Sequence, residues 1–235
     1  MIPKIIHYCW LSNDPYPEKI QKCIDSWHKF LPDYEFVHWN FDRFPRGKSI
    51  WVDQAFDNHK YAFAADYIRL YALYNYGGIY LDTDVEVLKS FDDLLSLPYF
   101  IGRENSPHGI EAAIMGAEKN LEWIKDCFDY YEGRKFVIGF GDFDTLVLPR
   151  ILLNQINKNH SLNLISNKEE FAYDDKLVNI FPIDWFSPKK WDTGELVITQ
   201  NTRAIHHFAG TWKSCKNKKE AFRRLIRNIR KIIGL

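Results

Sequence analysis

Cysteine is scarce in this 235-residue chain. The four present, Cys9, Cys23, Cys127 and Cys215, are widely scattered and form neither a CxxC pair nor a Cys/His zinc spacing, which argues against a disulfide scaffold or a structural zinc site. Long apolar runs are lacking too: no window approaches the roughly 18 consecutive apolar residues of a membrane-spanning helix. The first residues hold Pro3 and a His7-Tyr8-Cys9-Trp10 run, without a basic stretch leading into an apolar core and cleavage site, so no signal peptide is read and a cytoplasmic location is expected. Net charge is also missing, since 31 basic and 31 acidic residues cancel. The cancellation hides a split, because Lys213–Leu235 holds nine Lys or Arg against one Glu while the rest holds 22 basic against 30 acidic residues. Such a tail points to an anionic partner, with a membrane surface preferred and nucleic acid not expected.

What is present is apolar and aromatic material, 46% and 16% of the chain, enough for one sizeable core and too little for two ordinary catalytic domains. The expected organisation is one domain over 1–212 followed by a basic segment over 213–235. In that segment Phe222, Leu225, Ile226, Ile229, Ile232 and Ile233 share one helical face and the basic residues the other. An amphipathic basic helix of this kind either docks on the domain or lies in an anionic leaflet, each basic residue near the surface contributing about 1 kcal/mol. The second option would put the protein peripherally on the inner face of the cytoplasmic membrane.

Along the body, the β-branched run Ile2 to Trp10 predicts a strand, the apolar spacing of Ile20, Ile24, Trp27 and Leu31 a helix over 17–31, and Tyr34 to Trp39 a second strand. Lys60 to Tyr76 predicts a long helix stopped by Gly77-Gly78, followed by a short strand over 79–81. Strands are further expected at 99–102, 110–115, 177–181 and 204–208, with helices at 121–131 and 145–155. Alternating strands and helices imply an α/β sandwich around a mostly parallel sheet.

The sharpest local feature is Asp82-Thr83-Asp84, two carboxylates one residue apart directly after a strand. In a turn both can face one cation. Hard ions such as Mg²⁺ and Mn²⁺ prefer oxygen ligands and need few protein carboxylates when substrate phosphates complete the shell, an arrangement suited to a diphosphate leaving group. A bare tripeptide of this kind reads first as a solvated surface turn, and the strand and double glycine before it shift that balance. Upstream, Asp66 and Arg69 lie three apart on one helix face, as a surface ion pair or as a pair holding sugar hydroxyls. Late in the chain, His206 and His207 offer imidazole for a metal shell, with His207 the favoured one. Asp142 and Asp144 are candidates for acceptor contacts or for capping the helix at 145–155.

Together, Ile2-Pro3-Lys4-Ile5-Ile6-His7 with Trp10, Ser26-Trp27, Pro32-Asp33-Tyr34, Ala65-Asp66-Tyr67-Ile68-Arg69, the Gly77–Asp84 block, His206-His207 and Thr211-Trp212 resemble glycosyltransferase family 32. The resemblance covers the first hundred residues and leaves about 104–194 weakly constrained. It implies a GT-A fold, a Rossmann-like α/β sandwich. It also implies Mn²⁺- or Mg²⁺-dependent, retaining transfer of a hexosyl or N-acetylhexosaminyl unit. The donor would be a nucleotide sugar, a UDP-sugar first, and the acceptor a saccharide or lipid-linked glycan in surface polysaccharide synthesis. Asp84 would then be the main metal ligand and Asp82 a ribose or metal contact. Asp66 and Arg69 would hold the sugar, Trp10 or less readily Tyr8 the base, and Trp212 the diphosphate. Cleavage would develop charge on that diphosphate, which a cation and fixed donors stabilise. Rival readings are a haloacid dehalogenase-type phosphatase with Asp82 as nucleophile, and a non-catalytic carbohydrate-binding protein.

Overall fold

The computed structural model describes residues 1–105, 109–139 and 141–210. The basic segment over 213–235 and Trp212 lie outside the described residues. In chain order the elements are β1 (Ile5–Cys9), α1 (Glu18–Phe30), β2 (Glu35–Trp39), α2 (Ile50–Asp57), α3 (Tyr61–Tyr76), β3 (Gly78–Leu81), β4 (Val85–Val87), β5 (Tyr99–Ile101) and β6 (Ile114–Ala117). They continue with α4 (Glu122–Asp129), β7 (Val137–Gly139), β8 (Asp142–Phe143), α5 (Leu148–Asn159), β9 (Ser161–Leu164), β10 (Leu177–Ile180), α6 (Ile183–Phe186) and β11 (Ala204–His206).

Five strands form the central sheet in the order β2-β1-β3-β6-β5. β1 pairs in parallel with β2 and β3, while β6 runs against both β3 and β5, so four strands share one direction. The α/β class with a mostly parallel sheet is therefore present. Apolar side chains cover both faces. Trp51, Leu70, Leu73, Tyr80 and Met115 belong to one buried cluster, and Ile24, Trp27, Ile79, Leu81, Phe100 and Phe186 to the other. Among the described residues, no helix is long and apolar enough to cross a membrane.

Two devices position the cleft. The first is the stop between α3 and β3. Gly77 and Gly78 adopt φ of 68° and 102°, and a Cβ at either would approach backbone at 2.8 Å (Lys119 N) or 2.7 Å (Ile5 O). Only glycine fits both the conformation and the space, which lets the chain turn from helix into central strand within two residues. The second is α1, whose buried Ile20, Ile24 and Trp27 pack toward β4. Trp27 Nε1 donates to Val85 O at 2.7 Å, and Val87 N donates to Ser26 Oγ at 2.9 Å. β4 follows the Asp82-Thr83-Asp84 turn immediately and pairs antiparallel with β11, setting His206 opposite Val85.

Some sequence-based boundaries shift for physical reasons. The strand expected at 110–115 begins only at Ile114, because Glu111 to Ala113 leave the ladder to face the cleft. The helix expected from 145 begins at Leu148, with Pro149 in its first turn. Asp142 sits in the β7–β8 hairpin, and Asp144 accepts from Leu146 N at 3.3 Å and pairs with Arg134 at 3.4 Å, so neither caps that helix.

Candidate active site

α3 carries Asp66 and Arg69 toward the C-terminal end of β3, where both side chains are buried. Arg69 is the hub of this wall. Its Nη2 meets Asp82 Oδ1 at 2.7 Å and Asp66 Oδ1 at 3.6 Å, its Nη1 donates to Ala112 O at 2.5 Å, and its guanidinium carbon lies 4.4 Å from the Tyr80 ring centre. Burial opposes the charge on Arg69, but the field of Asp82, Tyr80 and Asp66 outweighs it and raises the pKa further, so the cation is permanent. Burial pushes the Asp66 carboxyl up to about 7, against the pull of Arg69. Burial also raises Asp82, again opposed by Arg69.

The two aspartates of the turn are held differently. Asp82 N donates to Ala113 O at 2.9 Å, and Val85 N closes the turn on Asp82 O at 3.0 Å. Asp84 Oδ2 accepts from Ala209 N at 2.8 Å, and Asp84 Oδ1 lies 3.7 Å from His206 Nε2. Asp82, Asp84 and His206 each offer a ligand atom within 4.8 Å of the others, a carboxylate and imidazole set that suits Mn²⁺. The β4–β11 register decides between the two histidines. His206 faces the aspartates, whereas His207, one residue on and so across the strand, meets Glu86 Oε2 at 2.8 Å. The geometry thus brings His206, not the favoured His207, to the Asp82/Asp84 pair.

An open cleft of about 820 Å³ joins these groups to Trp10, Asp14, His59, Tyr61, Pro149 and Trp191. Trp10 lies on its wall, with Nε1 donating to Asp14 O at 2.8 Å and its ring edge-on to Tyr16 at 5.1 Å. Tyr8 does not line it. Its ring stacks on His38 at 5.0 Å and meets Trp27 edge-on at 5.4 Å.

Two carboxylates that sequence reasoning did not single out, Glu104 and Glu111, also line the cleft. Glu111 is fully buried, and its Oε2 lies 3.2 Å from His206 Nδ1. Burial works against the His206 charge, but Glu111, Asp84 and Asp82 outweigh it and raise this histidine to about 10. The available signal was a lone glutamate inside the apolar run Ile110-Glu111-Ala112-Ala113-Ile114-Met115. A charge at such a position is rarely buried without a partner.

Against known proteins, residues 17–101 match the glycosyltransferase sugar-binding region containing a DXD motif. The chain is 41% identical over 131 residues to inositol phosphoceramide mannosyltransferase 3 of Schizosaccharomyces pombe, covering 52% of this chain and 35% of the relative. It is 36% identical over 124 residues to mannosyl phosphorylinositol ceramide synthase SUR1 of Saccharomyces cerevisiae, covering 50% and 31%. It thus spans about a third of the length of these relatives. Among solved structures, PaToxG glycosyltransferase is similar with a TM-score of 0.49 and 21% identity, over 67% of this chain and 69% of that one. Residues 17–101, which contain the Asp82-Thr83-Asp84 turn and the Asp66/Arg69 helix, are thus similar to the sugar-binding region of glycosyltransferases that carries a DXD motif.

Proposed function

We propose that the chain is a metal-dependent glycosyltransferase that moves a hexosyl unit from a nucleotide-sugar donor to a saccharide or lipid-linked acceptor. The observation that carries this reading is the convergence on one cleft wall of the Asp66–Arg69–Asp82 cluster and the Asp82/Asp84/His206 ligand set. The donor set fits a hard or borderline divalent ion: two carboxylates and one imidazole, with the remaining positions left to phosphate oxygens or water. When bound there, Mn²⁺ or Mg²⁺ would stabilise charge on a departing diphosphate.

The protein's own groups then have separate roles. Arg69 fixes the orientation of Asp82 through the 2.7 Å contact. Asp66, whose pKa burial raises to about 7, hydrogen-bonds sugar hydroxyls as donor when protonated and as acceptor when ionised. Trp10 offers a surface on which a nucleotide base can stack. The names of the fungal relatives favour a mannosyl donor and a lipid-linked acceptor over the UDP-hexose and polysaccharide suggested first by the sequence. Retention of configuration remains part of the proposal. The phosphatase reading is disfavoured because the Asp82 carboxylate is engaged by Arg69, and Asp142 and Asp144 do not line the cleft.

The test is donor hydrolysis and transfer across UDP- and GDP-sugars with Mn²⁺. Wild type is expected to turn over at least one donor, and Asp84→Ala to lose on the order of 10³-fold in rate, as for removal of a principal charge-stabilising group. A folded wild type that neither binds nor cleaves any nucleotide sugar overturns the reading.

A further inference from the structure

We propose that Glu111 is a positioning residue that fixes the tautomer and orientation of His206, so that Nδ1–H is held by the protein and Nε2 is presented to a divalent cation shared with Asp82 and Asp84. The inference rests on the transferase reading above and extends it to a residue outside the motif.

Glu111 is a carboxylate with no exposed surface, and its two oxygens have different duties. One accepts from Ala113 N at 2.7 Å, and the other takes the Nδ1 side of His206 at 3.2 Å. The backbone bond anchors the carboxylate to the segment that enters β6, so the histidine is tied to the central sheet. On its other flank the His206 ring packs against Phe208, with centroids 4.0 Å apart. Phe208 has φ of 53°, a left-handed conformation that an aromatic residue holds only where surroundings enforce it. That conformation immediately precedes Ala209, whose N–H reaches Asp84 Oδ2 at 2.8 Å. His206 is therefore clamped on two sides, and its Nε2 is the nitrogen facing the aspartates.

The spacing of His206 and Asp84 accommodates a shared ion as well as an ion pair. The 3.7 Å between His206 Nε2 and Asp84 Oδ1 is too long for a hydrogen bond. Bonds of about 2.1 Å to a common octahedral ion put adjacent ligand atoms about 3 Å apart and opposite ones about 4.2 Å apart. The observed spacing lies between those two values, close enough for a small side-chain shift to bring both atoms onto one ion. A histidine ligand ordinarily donates its second ring N–H to a carboxylate or carbonyl, and losing that partner weakens metal binding by about 10–100-fold. Glutamine at 111 would keep the shape but has a single oxygen, so it cannot accept from both Ala113 N and His206 Nδ1.

The experiment titrates Mn²⁺ into the protein with saturating uridine or guanosine diphosphate and counts free ion by electron paramagnetic resonance. Wild type is expected to bind one Mn²⁺, Asp84→Asn to abolish that binding, and Glu111→Gln to weaken it by about 10–100-fold while remaining folded. Unchanged affinity in a folded Glu111→Gln overturns this inference and leaves the transferase reading standing. Absence of Mn²⁺ binding by wild type, or binding insensitive to Asp84→Asn, overturns both. Should Glu111→Gln fail to fold, wild type decides by histidine ¹⁵N resonance with Cd²⁺ as a diamagnetic probe. Nε2 bound to cadmium with Nδ1 protonated is expected for His206, and cadmium on Nδ1 or on neither nitrogen overturns the inference.

Discussion

The two halves of the site, which meet at Asp82, each set a cation against carboxylates, but they are built from different materials. On the α3 side the cation is Arg69, permanently charged, with Asp66 and Asp82 as neighbours no more than 16 residues apart in the chain. On the β11 side it is His206, a group able to lose its proton, held by Asp84 and Glu111 from positions 122 and 95 residues away. A permanent cation can only orient what surrounds it, whereas an imidazole can exchange a proton for a metal bond. On the proposed reading, the first side does structural and sugar-holding work and the second binds the ion.

The strongest way to break that contrast is to remove the permanent cation. Arg69→Ala leaves Asp66 and Asp82 buried without their partner and is expected to cost about 3–5 kcal/mol of stability, read as a lowered urea midpoint. Loss of activity with unchanged stability would show that Arg69 is no scaffold.

A second prediction uses pH. His7 is buried, accepts from Trp39 Nε1 at 3.2 Å and donates to Gly77 O at 2.8 Å, which satisfies the neutral ring. Burial lowers it to about 4. Its folded pKa lies below the unfolded value, so its stabilisation is complete above about 6.5 and is lost as pH falls toward 4. Asp66 has the opposite sign. Its folded pKa near 7 lies above the unfolded value, so its contribution is complete below about 4 and is lost as pH rises through 7. The two slopes oppose one another in wild type. Asp66→Asn is expected to expose the His7 slope, with stability falling by roughly 3 kcal/mol between pH 6.5 and 4 in urea titrations. No pH response in the variant would contradict the assignment.

The smallest effect sharpens the second side of the comparison. His207→Ala, one residue past β11 and paired with Glu86, is expected to change Mn²⁺ affinity less than threefold and stability by about 0.5 kcal/mol or less, as for a partly exposed pair. A loss comparable to that of His206→Ala would return the ligand role to His207.

The same contrast explains what was legible in the sequence. The α3 side lies within Asp66 to Asp84, where helix spacing, the double glycine and the strand before the aspartates are all local signals. The β-α-β start, the long helix ending at Tyr76 and the late strand at 204 were readable for the same reason. The β11 side depends on the β4–β11 register and on Glu111 leaving the β6 ladder, and no local pattern encodes which residue of Val85–Val87 faces His206. Strand alternation required that one histidine face each way, but only the pairing says which. α2 went unread because Ile50 to Asp57 is short, and its start is marked only by Ser49, whose Oγ accepts from Val52 N. β9, Ser161–Leu164, contains a polar Ser and Asn and takes its strand form from parallel pairing with β10.

The most direct measurement of the central claim is anomalous diffraction at the manganese edge from crystals soaked with Mn²⁺ and a nucleoside diphosphate. The expected result is one peak within about 2.0–2.3 Å of Asp84 and His206 ligand atoms, with His206 bound through Nε2. A peak at His207 and Glu86, or none in the cleft, would contradict the account.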